Sequence, residues 1–512
     1  MASNRRRRLR RDGRLAARVL VPGDRCRPSG TRRRSPIVGA PLKRIRARSR
    51  PVVRHGVSPS KDVATASHRT HTAINHAPPV GLIAIRRLLP VRRRHGPLFA
   101  ESPINGEPVT SPTSVPDDLS LTAEIEQLRA ALSARRSIGF PAAVDIDYGP
   151  VTSLFGLLIN NVGDPDTDPD TVHTKAYERR VIDWHANLFG APADDRWGYL
   201  TSGGTEANQA AILLARDRFA GASPVLYYSQ ATHDWIRKTA SMLNLPEVVI
   251  RTDVTGEIDY DDLRGELARR RDRPAIVVAN AGTTVTEAVD DPARVRRALS
   301  ELAIRNAHLH VDGALAGVPL ALLPDRPVAI DLGGVVDSVA ISCHKFYGTT
   351  IPGGLVVTRR SLQRAARRIS YTATTDSTIS GSRCGQLAVQ MWYALRLLGE
   401  EGHRERAERA RETARFAHSL LASVGWPAWR NVHAFTVYFT TPPPPISRRY
   451  GLSNADGGIS HLICMPGVTR QQIEALAADI ATVRGTEQPS PSRGVRRLVP
   501  VAHLPLAAAD RP

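Results

Sequence analysis

Asp337-Ser-Val-Ala-Ile-Ser-Cys-His-Lys345 is the stretch from which the fold can be read. Ser338 to Ser342 is a short apolar run between an acid and the Gly and Pro turn of residues 348–354, and such a run reads as a strand buried on both faces. Lys345 follows at once. Most lysines are solvated, but a long exposed side chain is not expected between a buried strand and a tight turn. A lysine facing a cleft beside His344 is a candidate for imine chemistry. Outward from this strand the same pattern recurs at Val225 to Tyr228, Val248 to Arg251, Ala275 to Ala279, Leu309 to Val311 and Leu355 to Thr358, with helical stretches between. Strands so separated are joined by crossovers, which predicts an α/β fold with a mostly parallel sheet sandwiched by helices. Functional residues then belong at the carboxyl ends of the strands.

Two other segments carry chemistry. Gly198-Tyr-Leu-Thr-Ser-Gly-Gly-Thr-Glu-Ala-Asn208 runs from an apolar stretch through paired glycines into a helix. Gly203 and Gly204 permit close backbone approach, and Ser202, Thr205 and the free N–H groups of the helix start offer an anion site, although such a turn taken alone is more often only structural. Leu309-His-Val-Asp-Gly-Ala314 ends a buried strand with an acid beside two small residues. Asp312 there is either a helix cap or turn residue or a carboxylate paired to a protonated ring nitrogen, with Ala314 small because a flat ring lies over it.

The charge of +21 is confined to one end of the chain. Residues 1–100 hold 26 of the 70 Lys and Arg and 3 of the 49 Asp and Glu, which leaves 44 basic and 46 acidic residues in the remainder. A basic surface for nucleic acid is therefore not a property of the folded part. Residues 1–115, rich in Arg, Pro and Ser, are expected to be a disordered basic extension, and a transit-peptide-like leader or a dispensable start fits the same composition. The foldable sequence opens with the helical pattern Leu121, Ile125, Leu128, Leu132. A large domain is expected over 116–384, a small C-terminal α/β domain over 385–486, and a flexible tail over 487–512. The small domain is read from a long helix through Arg415, strands at Phe435 to Phe439 and His461 to Met465, and a helix from Thr469. Cys26, Cys343, Cys384 and Cys464 are too scattered for a metal or a disulfide framework, so no metal is expected. No apolar run reaches the roughly 18 residues of a membrane span, and the expectation is a soluble, cytoplasmic protein.

Taken together and in order, Ser-Gly-Gly-Thr-Glu-Ala-Asn, His-Val-Asp-x-Ala and Ser-x-His-Lys resemble the group II pyridoxal-phosphate decarboxylases, and within them most of all the bacterial histidine decarboxylases. The likeness spans roughly residues 140–485 and includes Asn160-Asn161-x-Gly163-Asp164-Pro165, Gly256 to Leu263, Ala279 to Thr284, Thr378-Ile-Ser-Gly-Ser-Arg383 and Met465-Pro-x-Val-Thr469. The resemblance implies the pyridoxal-phosphate transferase fold (fold type I), pyridoxal 5'-phosphate as cofactor, an amino-acid substrate and a homodimer. It implies Lys345 as the Schiff-base lysine, Asp312 as partner of the pyridine nitrogen and His233 as the histidine stacked on the ring. Without the surrounding pattern, His233 would read as a surface-loop residue. By the same resemblance Ser202, Gly203, Gly204, Thr205, Ser342 and His344 hold the phosphate, and Thr284 and Ala314 lie close to the cofactor. The polar segment from Tyr371 to Gly385 reads as a flexible lid, and since such a loop works at a dimer interface in the family, the resemblance implies Tyr371 as the proton donor. The chain departs from the family at Cys343, Gly313 and Cys384, where Gly, Ala and Asn are usual, and these departures are expected to bear on substrate fit. The implied reaction is decarboxylation of an L-amino acid, histidine to histamine first and a branched aliphatic such as valine or leucine second. Another pyridoxal-phosphate reaction, or a non-catalytic protein with a nucleic-acid-binding arm, is the competing reading.

Overall fold

The computed structural model describes residues 118–133, 137–455 and 457–486. The expected extension over 1–115 and tail over 487–512 lie outside them. The buried apolar runs become β1 (Trp197–Thr201), β2 (Val225–Ser229), β3 (Glu247–Ile250), β4 (Ala275–Asn280), β5 (Ala307–Asp312), β6 (Ser338–Ser342) and β7 (Gly354–Thr358), all but β3 buried along their whole length. They form one sheet in the order β1-β7-β6-β5-β4-β2-β3. Pairing from β3 through β6 is parallel, while β7 runs antiparallel to both β6 and β1. The reason is length: the connection from Ser342 to Gly354 is too short for the crossover that a parallel neighbour needs. Since β1 opposes β7 and β7 opposes β6, β1 points the same way as β6. Six strands therefore deliver their carboxyl ends to one edge.

Helices α1 (Asp118–Ser133) and α2 (Lys175–Leu188) precede the sheet. The crossovers are α3 (Gly204–Arg218), α4 (Trp235–Leu243), α5 (Tyr260–Ala268), α6 (Pro292–Glu301) and α7 (Gly317–Leu322), and α8 (Cys343–Phe346) carries Lys345. The four apolar residues that predict α1 do form one stripe, but all four are about half exposed, because nothing among the described residues covers that side. A hairpin of β8 (Arg367–Ile369) and β9 (Thr374–Asp376) leads into α9 (Gly385–Ser423), which runs eight residues beyond Arg415 and is broken at Gly399, where φ is +63°.

Beyond α9, β10 (Ala428–Trp429), β11 (Thr436–Thr440), β12 (Ser453–Ala455) and β13 (Ile459–Ile463) form a second, antiparallel sheet in the order β10-β11-β13-β12, with α10 (Pro444–Arg449) and α11 (Arg470–Thr486) alongside. Its core joins Val437, Phe439 and Leu462 to Ala417 and Leu421 of α9 and Ile473 and Leu476 of α11. Both expected strands exist but are displaced by one or two residues. Met465 falls beyond β13, where the chain turns into the Pro466–Gly467 corner.

Two of the sequence motifs meet in a buried knot. Arg383 donates to both oxygens of Glu178 at 2.9 and 3.0 Å and to the Gly163 carbonyl at 2.6 Å. The Glu178 carboxylate also accepts from Leu200 N–H and the Asn161 amide, and Asn161 N–H donates to the Arg383 carbonyl. Both charged side chains are buried. The Tyr371 to Gly385 segment is consequently not mobile along its whole length. From Ser377 onward it is fastened, with Ser377 bonded to Asp164, Ile379 N–H to the Tyr199 hydroxyl and Ser380 to Glu206. The hairpin end, with Tyr371 90% exposed, is its most solvent-exposed part.

A buried charge that loses its partner is expensive, by about 3–5 kcal/mol. Arg383→Met is therefore expected to lower stability by about that amount in urea unfolding. Glu178→Gln in the same background, which removes the stranded charge, is expected to recover part of it.

Candidate functional site

At the carboxyl edge of the large sheet lies a cavity of about 820 Å³. Ser202, Gly203, Gly204 and Thr205 line it from the turn between β1 and α3, and His233 from the loop after β2. Thr284 enters after β4, Asp312 and Ala314 from the end of β5, and Ser342, His344 and Lys345 from the end of β6. Eleven residues singled out in the sequence thus face one space. Tyr371 does not. It is 90% exposed on the β8–β9 hairpin and lies outside the cavity.

Close backbone approach builds the floor of this space. A β-carbon on Gly204 would lie 2.1 Å from Ser342 Oγ, and one on Gly354 would lie 2.6 Å from the carbonyl carbon of Gly203. Only glycine lets the first turn of α3 press against the ends of β6 and β7, and the unpaired N–H groups of that turn then point at the cavity. Ser202 is held from the other side, because its N–H and hydroxyl both donate to Glu206.

Lys345 has no hydrogen-bond or ion-pair partner for its Nζ among the described residues, although it sits below the surface. Burial pushes its amine below the usual lysine range, against the opposing pull of the Asp312 and Glu287 carboxylates. An unpartnered amine with a reduced proton affinity is a nucleophile. Asp312 accepts the Trp235 indole N–H at 2.6 Å on Oδ2 and the Ala314 main-chain N–H at 3.1 Å on Oδ1. His233 accepts the Trp235 main-chain N–H on Nδ1 at 3.2 Å, and burial lowers its affinity for a second proton. Burial does the same for His344, whose Nδ1 lies 3.1 Å from the Gly353 carbonyl.

Several functional positions escaped the sequence reading. The wall opposite α3 is built by Gly139, Phe140 and Pro141 together with Ser453, Asn454, Ala455, His461 and Ile463 from β12 and β13. His461 is buried, and its Nδ1 has no partner. The one available hint was the placing of Ser460 and His461 inside an otherwise apolar strand. By contrast, none of the three departures lines the cavity. Cys343 faces the core, where burial pushes its thiol far up; Gly313 packs against Ala340 and Gly317; Cys384 is exposed at the start of α9.

Glu287 was also missed. It is buried with φ at +52°, and its carboxylate accepts from Phe435 N–H and the Thr436 hydroxyl, tying the loop that carries Thr284 to β11.

The family described as the pyridoxal-dependent decarboxylase conserved domain matches residues 164–425. A histidine decarboxylase of Mesorhizobium japonicum is 39% identical over 347 residues, covering 67% of this chain and 92% of that protein. Serine decarboxylase 1 of Oryza sativa subsp. japonica is 33% identical over 356 residues, covering 69% and 73%. Among solved structures, L-methionine decarboxylase from Streptomyces sp. 590 superposes with a TM-score of 0.67 at 24% identity, covering 72% of this chain and 95% of that one, a likeness of fold alone.

Burial raises the Glu287 carboxyl to about 7. In the unfolded chain a glutamate titrates near ~4.3. Below that pH both states hold the proton. Between about 4.3 and the folded value only the folded state keeps it, so stability falls as pH rises, by roughly 1.4 kcal/mol per pH unit at most. Glu287→Gln has no such proton to lose. Its melting temperature relative to the parent protein is therefore expected to rise steadily from acid to neutral pH and level off above neutrality, as scanning calorimetry across that range would show.

Proposed function

This chain belongs to the pyridoxal-dependent decarboxylases, and from that premise we propose that it converts L-histidine to histamine and CO2, with Lys345 carrying the cofactor. The chain is a pyridoxal-phosphate-dependent amino-acid decarboxylase with the fold type I architecture. The observation that carries the assignment of roles is the unpartnered Lys345 amine, which shares its cavity with Asp312, His233 and the glycine turn at the head of α3.

These residues fit the cofactor in charge and shape. Lys345 Nζ would hold it covalently, and the N–H groups of the α3 start with Thr205, Ser342 and His344 would hold its phosphate. Ser202 would contribute where Glu206 leaves it free. His233 would lie against the ring, Ala314 and Thr284 would border it, and Asp312 would face the ring nitrogen. Bound there, the cofactor supplies a sink for the electron pair released as the Cα–carboxylate bond breaks. Asp312 keeps a proton on the ring nitrogen. His233, held neutral by burial, orients the ring without adding a positive charge. Lys345 would give up its bond to the substrate amine and take it back as the product amine leaves.

Histidine is favoured by two things. The similarity to histidine decarboxylases is substantial, and the cavity wall offers hydrogen-bonding groups at Ser453, Asn454 and His461. A wall that can bond an imidazole discriminates far better against aliphatic side chains than an apolar one does. Serine is the second reading, on the strength of the serine decarboxylase relative. We also propose a homodimer, supported by the uncovered apolar stripe of α1, with Tyr371 donating its proton in the site of the partner protomer. Residues 116–384 would form the large domain and 385–486 the small one.

Lys345→Ala is expected to lower turnover on the order of a thousandfold or more, and borohydride reduction of the holoenzyme is expected to label Lys345. Labelling of a different lysine would sink the assignment. With histidine, serine and leucine supplied together at equal concentration, histamine is the expected main product. Ethanolamine or isoamylamine in its place would overturn histidine while leaving the decarboxylase intact.

A further inference from the structure

We propose that Trp235 is a positioning residue that governs how firmly Asp312 holds the proton on the cofactor ring nitrogen, through the hydrogen bond its indole donates to that carboxylate. The inference rests on the reading of Asp312 given above. Trp235 opens α4 two residues after His233, and it reaches both side chains that flank the ring position. Its main-chain N–H donates to His233 Nδ1, and its indole N–H donates to Asp312 Oδ2 at 2.6 Å. Residues from two loops far apart in sequence are thus set by one.

The indole cannot swing away. Its ring stands edge-on to His310, with centroids 6.3 Å apart and planes at 87°, and it packs among Phe219, Leu226, Tyr228 and Ala240. His310 is itself pinned, through Asn208 at 2.7 Å and Ser338 at 2.9 Å. A buried indole N–H usually finds some acceptor, and satisfying that donor is the bland explanation of the contact. The other tryptophans argue against it. Trp426 satisfies its own N–H on the Thr440 main-chain carbonyl, and the buried indole N–H of Trp197 has no partner among the described residues. This fold therefore does not require a carboxylate to serve a tryptophan.

The chemical effect follows from where the charge sits. Both Asp312 oxygens are served by neutral donors, the Trp235 indole and the Ala314 main chain. A hydrogen bond donated to a carboxylate disperses its negative charge and stabilises the ionised form. With its charge so shared, Asp312 facing the ring nitrogen pulls less on the proton that this nitrogen carries. Bonds of this kind in a dry site are fixed before the reaction begins, which is where their value lies. Without the indole N–H, Asp312 draws the proton toward itself, and the ring becomes a poorer electron acceptor. His233 also stays neutral with its proton on Nε2, because Nδ1 is occupied as an acceptor.

Trp235→Phe removes the indole N–H and leaves the main-chain bond to His233. Replacement of Trp235 by 3-benzothienylalanine exchanges the N–H for sulphur at nearly constant shape, and so separates the bond from the packing. Each holoenzyme is loaded with cofactor carrying 15N at the ring nitrogen and compared with Asp312→Asn. In both Trp235 variants the 15N resonance is expected to move toward that of the unprotonated ring, in the direction of the Asp312→Asn shift but less far. Turnover is expected to fall on the order of tenfold or more, as for loss of a hydrogen bond to a charged group, with KM little changed. A resonance that stays put in both Trp235 variants while Asp312→Asn moves it overturns the role of Trp235 and leaves that of Asp312 standing. If Asp312→Asn moves nothing either, Asp312 does not face the ring nitrogen, and both readings fall.

Discussion

The contact between Gly204 and Ser342 is the constraint on which the site depends. Ser342 ends β6 and begins the short helix that carries Lys345, while Gly204 begins α3. With no side chain between them, the anion-binding end of one helix and the amine at the start of another share a few ångströms of one sheet edge. A β-carbon at Gly204 would turn the Ser342 hydroxyl out of its place, and one at Gly354 would collide with the Gly203 main chain and push the start of α3 off the sheet. The wedge of glycines thus sets the distance between the two functions that a phosphorylated aldehyde demands at once, a charge cradle and a nucleophile.

A second constraint lies behind the first and is electrostatic. Glu178 and Arg383 come from segments more than two hundred residues apart, yet they pair in the interior, and both also bond main-chain groups. The Asn160 to Pro165 and Thr378 to Arg383 motifs offered no nucleophile and no ligand. They hold the segment before α9 against α2 and β1, and Ser380 reaches Glu206 beside the Ser202 turn. Motifs of this kind mark a fold as clearly as motifs that carry chemistry.

What the sequence made legible was local. Buried parallel strands announce themselves as continuous apolar runs, and each run from Val225 to Thr358 became a strand to within a residue or two. Residues placed by a strand end, such as Asp312 and Lys345, could be located because the strand's direction fixes where its end must be. What stayed hidden was decided by tertiary approach. The Trp235 to Asp312 bond joins positions seventy-seven apart and leaves no periodic trace. Glu287 drew no reading, because nothing near it in sequence shows that β11 will close over it. The departures at Cys343, Gly313 and Cys384 were legible as differences, but their placement was not, and none of the three lines the cavity. Tyr371 stands exposed on the β8–β9 hairpin outside the cavity, a placement that no spacing in the sequence foretells.

The cavity has two sources. Residues between Ser202 and Lys345, on the large sheet, furnish its floor, while β12 and β13, more than a hundred residues later, furnish the facing wall. Short strands of an antiparallel sheet tolerate exchange of inward side chains without disturbing register, since register is set by the ladder and the hydrophobic pattern. Inheritance can therefore act on the two halves separately. If that wall meets the substrate side chain, as proposed, exchange of Ser453, Asn454 or His461 would change which amino acid is accepted and leave the cofactor floor as it is.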